Sequence, residues 1–131
     1  MNYNEITAGL GAALQSYAPG INIYPDVLRT IVPPAAIVQP MPRNTVEYDR
    51  AQGSSLAMWH FEVLFIVGQV DEVSAQRQAG DLISPGSALI NAINRATFGR
   101  GYAHVTAGSV SQMQSGQTLY TNAQLSVDVL A

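Results

Sequence analysis

Two side chains that can bind a metal or exchange a proton lie two positions apart in the apolar stretch LAMWHFEVLFIVGQVDE, residues 56–72. On a strand, His60 and Glu62 would point to the same face, because successive side chains alternate between faces. His104, the only other histidine, could join them from a later strand. A zinc site would also need hydrogen-bonded partners behind its ligands. The sequence favours the alternative, a partly exposed or subunit-covered strand face, because this spacing is common by chance.

Close carboxylate pairs are the second candidate for chemistry. Glu47 and Asp49 flank a single residue, and Arg43 and Arg50 lie nearby in the sequence. This mixture of charges favours a salt-bridged or solvated cluster over a general acid and base. The acids at 71–72 are explained by the start of a helix, whose N-terminus attracts negative charge.

Nucleophilic catalysis and phosphate binding have no support in the sequence. The chain has no cysteine, which excludes disulfides and thiolate metal sites, and it has no Gly-x-Ser-x-Gly elbow. The stretch GRGY, residues 99–102, lacks the lysine and the strand–helix setting of a phosphate-binding loop. We therefore expect no catalytic residue, no cofactor and no bound metal.

The composition indicates a protein that buries part of its surface in contacts with other subunits. The 131 residues show no change in composition along the chain, so we expect one domain over 1–131. Only 11% of the residues are charged, against about 25% in ordinary soluble domains. Burial in an oligomer would explain this deficit, and a monomer with a surface of uncharged polar residues is the alternative.

The charge and the apolar segments limit the partners. The net charge is −3, and the six arginines are scattered with no lysine among them, which argues against tight binding to nucleic acid. The N-terminal residues do not resemble a signal peptide, and no stretch approaches the roughly 18 apolar residues that span a membrane. We expect a soluble protein that is made in the cytoplasm and does not bind membranes.

The elements that would position these side chains follow from periodicity. An apolar stripe at helical spacing predicts a helix over 3–18, with Asn2 as its cap, and two helices are predicted after residue 70, separated by SPGS. Strands are predicted at 21–24, 33–40, 58–67, 103–113 and 119–129, and the polar segment at about 41–56 is expected to be a projecting loop or hairpin arm. This order predicts an α+β fold: a mostly antiparallel sheet of four or five strands with helices packed on one face.

The strand at 58–67 has the most informative pattern. Its odd positions, from Trp59 to Val67, are all large and apolar, so one face should be buried throughout. Its even positions are polar early (His60, Glu62) and apolar late, so the other face should be only half covered. Gly68 is predicted to end this strand.

The order of these segments resembles the tail terminator proteins of long-tailed (siphovirus-type) bacteriophages. The most specific parts are VPPAAIV (residues 32–38), the strand that ends in VG before a pair of acids, and the helix break SPGS (residues 84–87). The resemblance covers essentially the whole chain and lies in the order of the segments, since no single motif is diagnostic.

The resemblance implies a structural virion protein, not an enzyme. Such a protein, assembled in the host cytoplasm, forms a homohexameric ring on the head-proximal end of the tail tube. The ring stops further polymerisation and provides the docking surface for the head connector, while DNA only passes through its lumen. The implied fold is tail-tube-like, and the implied partners are copies of itself, the major tail tube protein and the head-completion or connector protein.

The segment between the two central strands makes ring or tube contacts in this family. Residues 43–55 occupy that place in this chain, and the residues predicted to form an interface are Arg43, Glu47, Tyr48, Asp49 and Arg50. Two alternatives remain open from the sequence. One is another neck component, such as a head-completion (stopper) protein or a tube-like minor tail protein. The other is a small metal-binding enzyme that uses His60, Glu62 and His104.

Overall fold

A computed structural model describes residues 1–24, 31–48, 56–69 and 73–131, which form three α-helices and seven β-strands. The helices are α1 (Tyr3–Tyr17), α2 (Val73–Ile83) and α3 (Ala88–Asn94). The strands are β1 (Asn22–Tyr24), β2 (Ala35–Pro40), β3 (Val46–Glu47), β4 (Met58–Gln69), β5 (Thr97–Phe98), β6 (Gly101–Ser115) and β7 (Thr118–Leu130). The fold class is α+β, as the sequence predicts.

All seven strands belong to one mixed sheet. Its order is β1-β2-β4-β7-β6-β5, and β3 pairs with the first residues of β4. β1 and β2 run parallel, and the other neighbouring strands run antiparallel. The prediction of four or five strands is too low because β3 and β5 have only two residues each, and so short a strand gives no periodic pattern.

β4 lies in the interior of the sheet, between β2 and β7. Phe61, Val63 and Phe65 point to the face on which the helices pack, where they are buried in the main core. On the opposite face, Leu64 and Ile66 belong to a second, smaller apolar cluster. The early even positions of β4 are only half buried, as predicted. The odd positions are fully buried only from Phe61 to Phe65, because Trp59 and Val67 at the two ends are partly exposed.

Gly68 does not end β4, and this prediction is wrong. The strand continues to Gln69, and its register against β7 shifts between Ile66 and Gly68. A glycine within a strand marks a bulge as readily as an end, because it has no side chain to pack and adopts unusual backbone angles at little cost.

The helix boundaries follow from capping residues. The Asn2 side chain accepts a hydrogen bond of 2.9 Å from the Glu5 backbone N–H at the start of α1. The Ser87 hydroxyl accepts one of 3.2 Å from the Ile90 N–H and donates one of 2.6 Å to the Leu82 carbonyl, so it starts α3 and ties it to the end of α2. The acids at 71–72, predicted to open α2, lie outside the described residues.

The three helices cover one face of the sheet. Their apolar residues, including Leu10 of α1, Ala79 of α2 and Ile93 of α3, share one buried cluster with the sheet residues of that face. None of the described helices is long and apolar enough to cross a membrane. The other sheet face carries the smaller apolar cluster at one end and polar side chains at the other, and none of the helix residues belongs to that cluster.

Candidate functional site

A row of polar side chains crosses the sheet face opposite the helices. The register of three adjacent strands places its members side by side: Gln39 of β2 pairs with Glu62 of β4, and His60 of β4 pairs with Asp128 of β7. Glu47 joins the row because β3 pairs with β4 two residues before His60. We call this set the polar row; its members are Gln39, Glu47, His60, Glu62, Gln124 and Asp128.

His60 lies between two carboxylates from different strands. Its Nδ1 is 2.6 Å from Asp128 Oδ1, which is a short hydrogen bond. Its Nε2 is 3.4 Å from Glu47 Oε1, close enough for an ion pair, but this nitrogen is buried and lacks hydrogen-bond geometry to any described residue. Asp128 is therefore the stronger partner and fixes the ring orientation, while Glu47 contributes mainly through its charge.

Glu62, another carboxylate of the row, has hydrogen-bond partners on both neighbouring strands. One oxygen accepts a hydrogen bond of 2.7 Å from the Gln39 side-chain amide, and the other accepts one from the Gln124 side-chain amide. The Glu62 side chain is half buried. Its lone pairs are thus directed to amides of β2 and β7, so Glu62 links three strands across the face.

The metal-site hypothesis receives no support from this geometry. Nowhere in the described part of the chain do three His, Asp or Glu side chains come together as metal ligands would. His104 pairs with Asp128 from β6 but is exposed, and His60 and Glu62 bind other protein groups. The arrangement cross-links strands through hydrogen bonds between protein groups.

The predicted interface residues divide into three groups. Arg43 and Tyr48 are exposed, and Tyr48 is 73% exposed, which is unusual for a tyrosine outside a contact surface. Glu47 is half buried, accepts a hydrogen bond of 2.7 Å from the Asn44 amide and belongs to the polar row. Asp49 and Arg50 lie outside the described residues. The structure therefore brings Glu47 together with His60. The sequence did not predict this contact.

Three members of the row, Gln39, Gln124 and Asp128, were not identified as site residues from the sequence. The signal for two of them was present, since the even positions of 119–129 alternate as the polar face of that strand. The missing information was the register between β4 and β7. These strands are far apart in the chain, and periodicity assigns a residue to a face without naming its neighbour on the next strand.

A cleft of about 700 Å³ opens on the other side of the molecule, between α1 and α3. Its walls are mostly alanine and other small residues, and among the described residues Arg95 is the one charged side chain that lines it. None of the described residues in its wall is a carboxylate or a histidine, the groups that most often act as general acid and base.

The carboxylates of the described strands lie together on one face of the sheet. The strands contain no arginine or lysine, and their acidic residues, Glu47, Glu62 and Asp128, all belong to the polar row. The arginines of the described residues lie in helices, at a helix end or in connections. Within the described strands the carboxylates therefore lie only on the face opposite the helices, which we call the acidic face. The sequence matches no protein-family model, and the comparison with curated proteins finds no relative.

Proposed function

We propose that this protein is a structural virion component of the tail terminator kind. It forms a homohexameric ring at the head-proximal end of a phage tail tube, ends polymerisation of the tube and provides the docking surface for the head connector. The proposal rests on the resemblance in segment order and on one structural observation, the acidic sheet face opposite the helices.

An acidic face suits the wall of a channel for DNA. Phosphates bind proteins chiefly through arginine and lysine, and a surface that carries carboxylates in their place repels the DNA backbone. With the acidic face turned to the lumen and the helices outward, DNA passes through the ring without adhering to it. The six copies then place the polar rows of all subunits around one pore.

The state of the polar side chains also favours a structural role over catalysis. His60 and Glu62 are engaged by Asp128, Gln39 and Gln124, and these partners belong to neighbouring strands. Groups held in this way stiffen the sheet. A catalytic acid or base instead needs access to a substrate within hydrogen-bond reach. On this proposal the protein is not an enzyme and needs no cofactor.

The test is light scattering and negative-stain imaging of the purified protein, alone and with purified tail tubes. We expect six-fold rings with a central pore, either free or bound to one end of each tube. A monomer that forms no ring and caps no tube would overturn the proposal. Binding to connector rings but not to tubes would instead favour the other neck component, a head-completion protein.

A further inference from the structure

β6 has a long free edge. It pairs with β7 from Tyr102 to Ser115, but on its other side β5 covers only Gly101 and Tyr102. No other described strand pairs with that side. In a ladder, alternate residues direct their N–H and C=O groups away from the partner strand. One such group is satisfied locally, because the Val105 N–H donates to Asn94 Oδ1 at 2.9 Å.

The free edge lacks the features that usually block strand pairing. Proteins protect free edges with charged side chains, prolines, bulges or very short strands. Residues 103–114 contain no Asp, Glu, Lys, Arg or Pro. The one bulge lies at the start of this stretch, between Val105 and Ala107. Beyond it the strand continues to Ser115, and residues 106–110 are all exposed.

We propose that the edge of β6 at residues 106–114 pairs with the β1 edge of a second copy of this chain. The inference rests on the proposed ring and names the contact that closes it. The sheet offers two unlike edges, since β1 and the β5–β6 side are its opposite ends. Ring closure requires two different surfaces that meet head to tail, whereas pairing of β6 with β6 would close as a dimer.

Edge-to-edge pairing also gives the ring a common inner wall. Two sheets that join along their edges continue the same face, so the polar rows of neighbouring copies lie on one side. Backbone hydrogen bonds supply the affinity in such contacts and need no charged side chain. This agrees with the low charge of the chain, 11% of its residues, and with the absence of charge along the β6 edge.

The first experiment compares two valine-to-lysine variants. Val110 on β6 is 43% exposed and Val73 at the start of α2 is 75% exposed, so neither lysine has to be buried. A lysine on a free edge opposes strand pairing. Val110→Lys should reduce the hexamer fraction seen by light scattering at least tenfold, alone or on tubes. Val73→Lys should assemble like the original protein, and both should keep its melting temperature within a few degrees.

The second experiment identifies the partner edge through thiols, since the chain has no cysteine of its own. Copies with Val110→Cys are mixed with copies with Asn22→Cys, which lies on β1, and treated with a short thiol cross-linker. Cross-links between the two kinds of copy support the proposal. Cross-links only between Val110→Cys copies would overturn it in favour of two-fold pairing.

The results separate this inference from the proposed function. Rings that form normally with Val110→Lys would overturn the edge contact and leave the terminator ring standing. A protein that forms no ring on its own or on tubes would overturn both.

Discussion

At the scale of single residues, Glu62 carries the clearest structural task. Its two carboxylate oxygens accept hydrogen bonds from side-chain amides of β2 and β7, on a face that is only partly exposed to water. A carboxylate in this position satisfies two donors at once, and charge-assisted hydrogen bonds are stronger than neutral ones. The next two residues on the same face, Leu64 and Ile66, are apolar and are buried in the smaller apolar cluster.

We expect Glu62→Ala to lower the free energy of unfolding by about 1 to 2 kcal/mol, because it leaves the amides of Gln39 and Gln124 half buried without their acceptor. Urea unfolding followed by circular dichroism measures this loss. Glu62→Gln, which keeps the length and one acceptor oxygen, should lose less. Equal stability of Glu62→Ala and the original protein would contradict the role assigned to Glu62.

At the scale of elements, the start of β6 is tied closely to the end of β7. A Cβ atom on Gly101 would lie 1.5 Å from the Leu130 carbonyl oxygen, so only glycine allows the two backbones to approach this closely. This contact begins the long β6–β7 ladder and orients β6, including its free edge.

Gly101→Ala should therefore destabilise the fold by about 2 to 3 kcal/mol, since the obstacle is backbone and cannot rotate away. Gly80 in α2 is the matched control, because a Cβ there would meet nothing within 4 Å. Gly80→Ala should stabilise the protein by up to about 1 kcal/mol through helix propensity. Thermal unfolding of the two variants should give shifts of opposite sign; a stable Gly101→Ala would refute the close contact.

Many of the helix boundaries and strand faces could be predicted from residues close together in the sequence. The helices α1 and α3 begin where Asn2 and Ser87 predict, because a cap is a short-range interaction between a side chain and the next turn. The faces of β4 and β7 also follow from alternation. The short strands β3 and β5 and the bulge at Gly68 were not predicted, because each depends on pairing with a strand elsewhere in the chain.

At the scale of the whole molecule, the assembly surfaces remain predictions to be tested by substitution. Arg43 is exposed in the segment before β3, and Arg77 is exposed on α2. If the segment that contains Arg43 makes ring or tube contacts, Arg43→Ala should weaken assembly on tail tubes about tenfold without changing the fold, since arginine is a frequent anchor of interfaces.

Arg77→Ala is the control for this prediction, because it removes the same charge from the helical layer. Sedimentation of tubes with each variant, across a range of protein concentrations, measures the shift in binding. An equal loss in both variants would indicate a general effect of charge, and no loss with Arg43→Ala would remove this residue from the interface.

The position of β7 between β4 and β6 has a consequence for biosynthesis. β7 follows both of its neighbours in the chain, so β4 and β6 are synthesised before the strand that pairs with both of them. Until it emerges, one side of β4 has no strand beside it, and Phe61, Val63 and Phe65 lack the neighbouring residues of β7 that complete their core. β4 and β6 can therefore join in one sheet only after residues 118–130 have been synthesised.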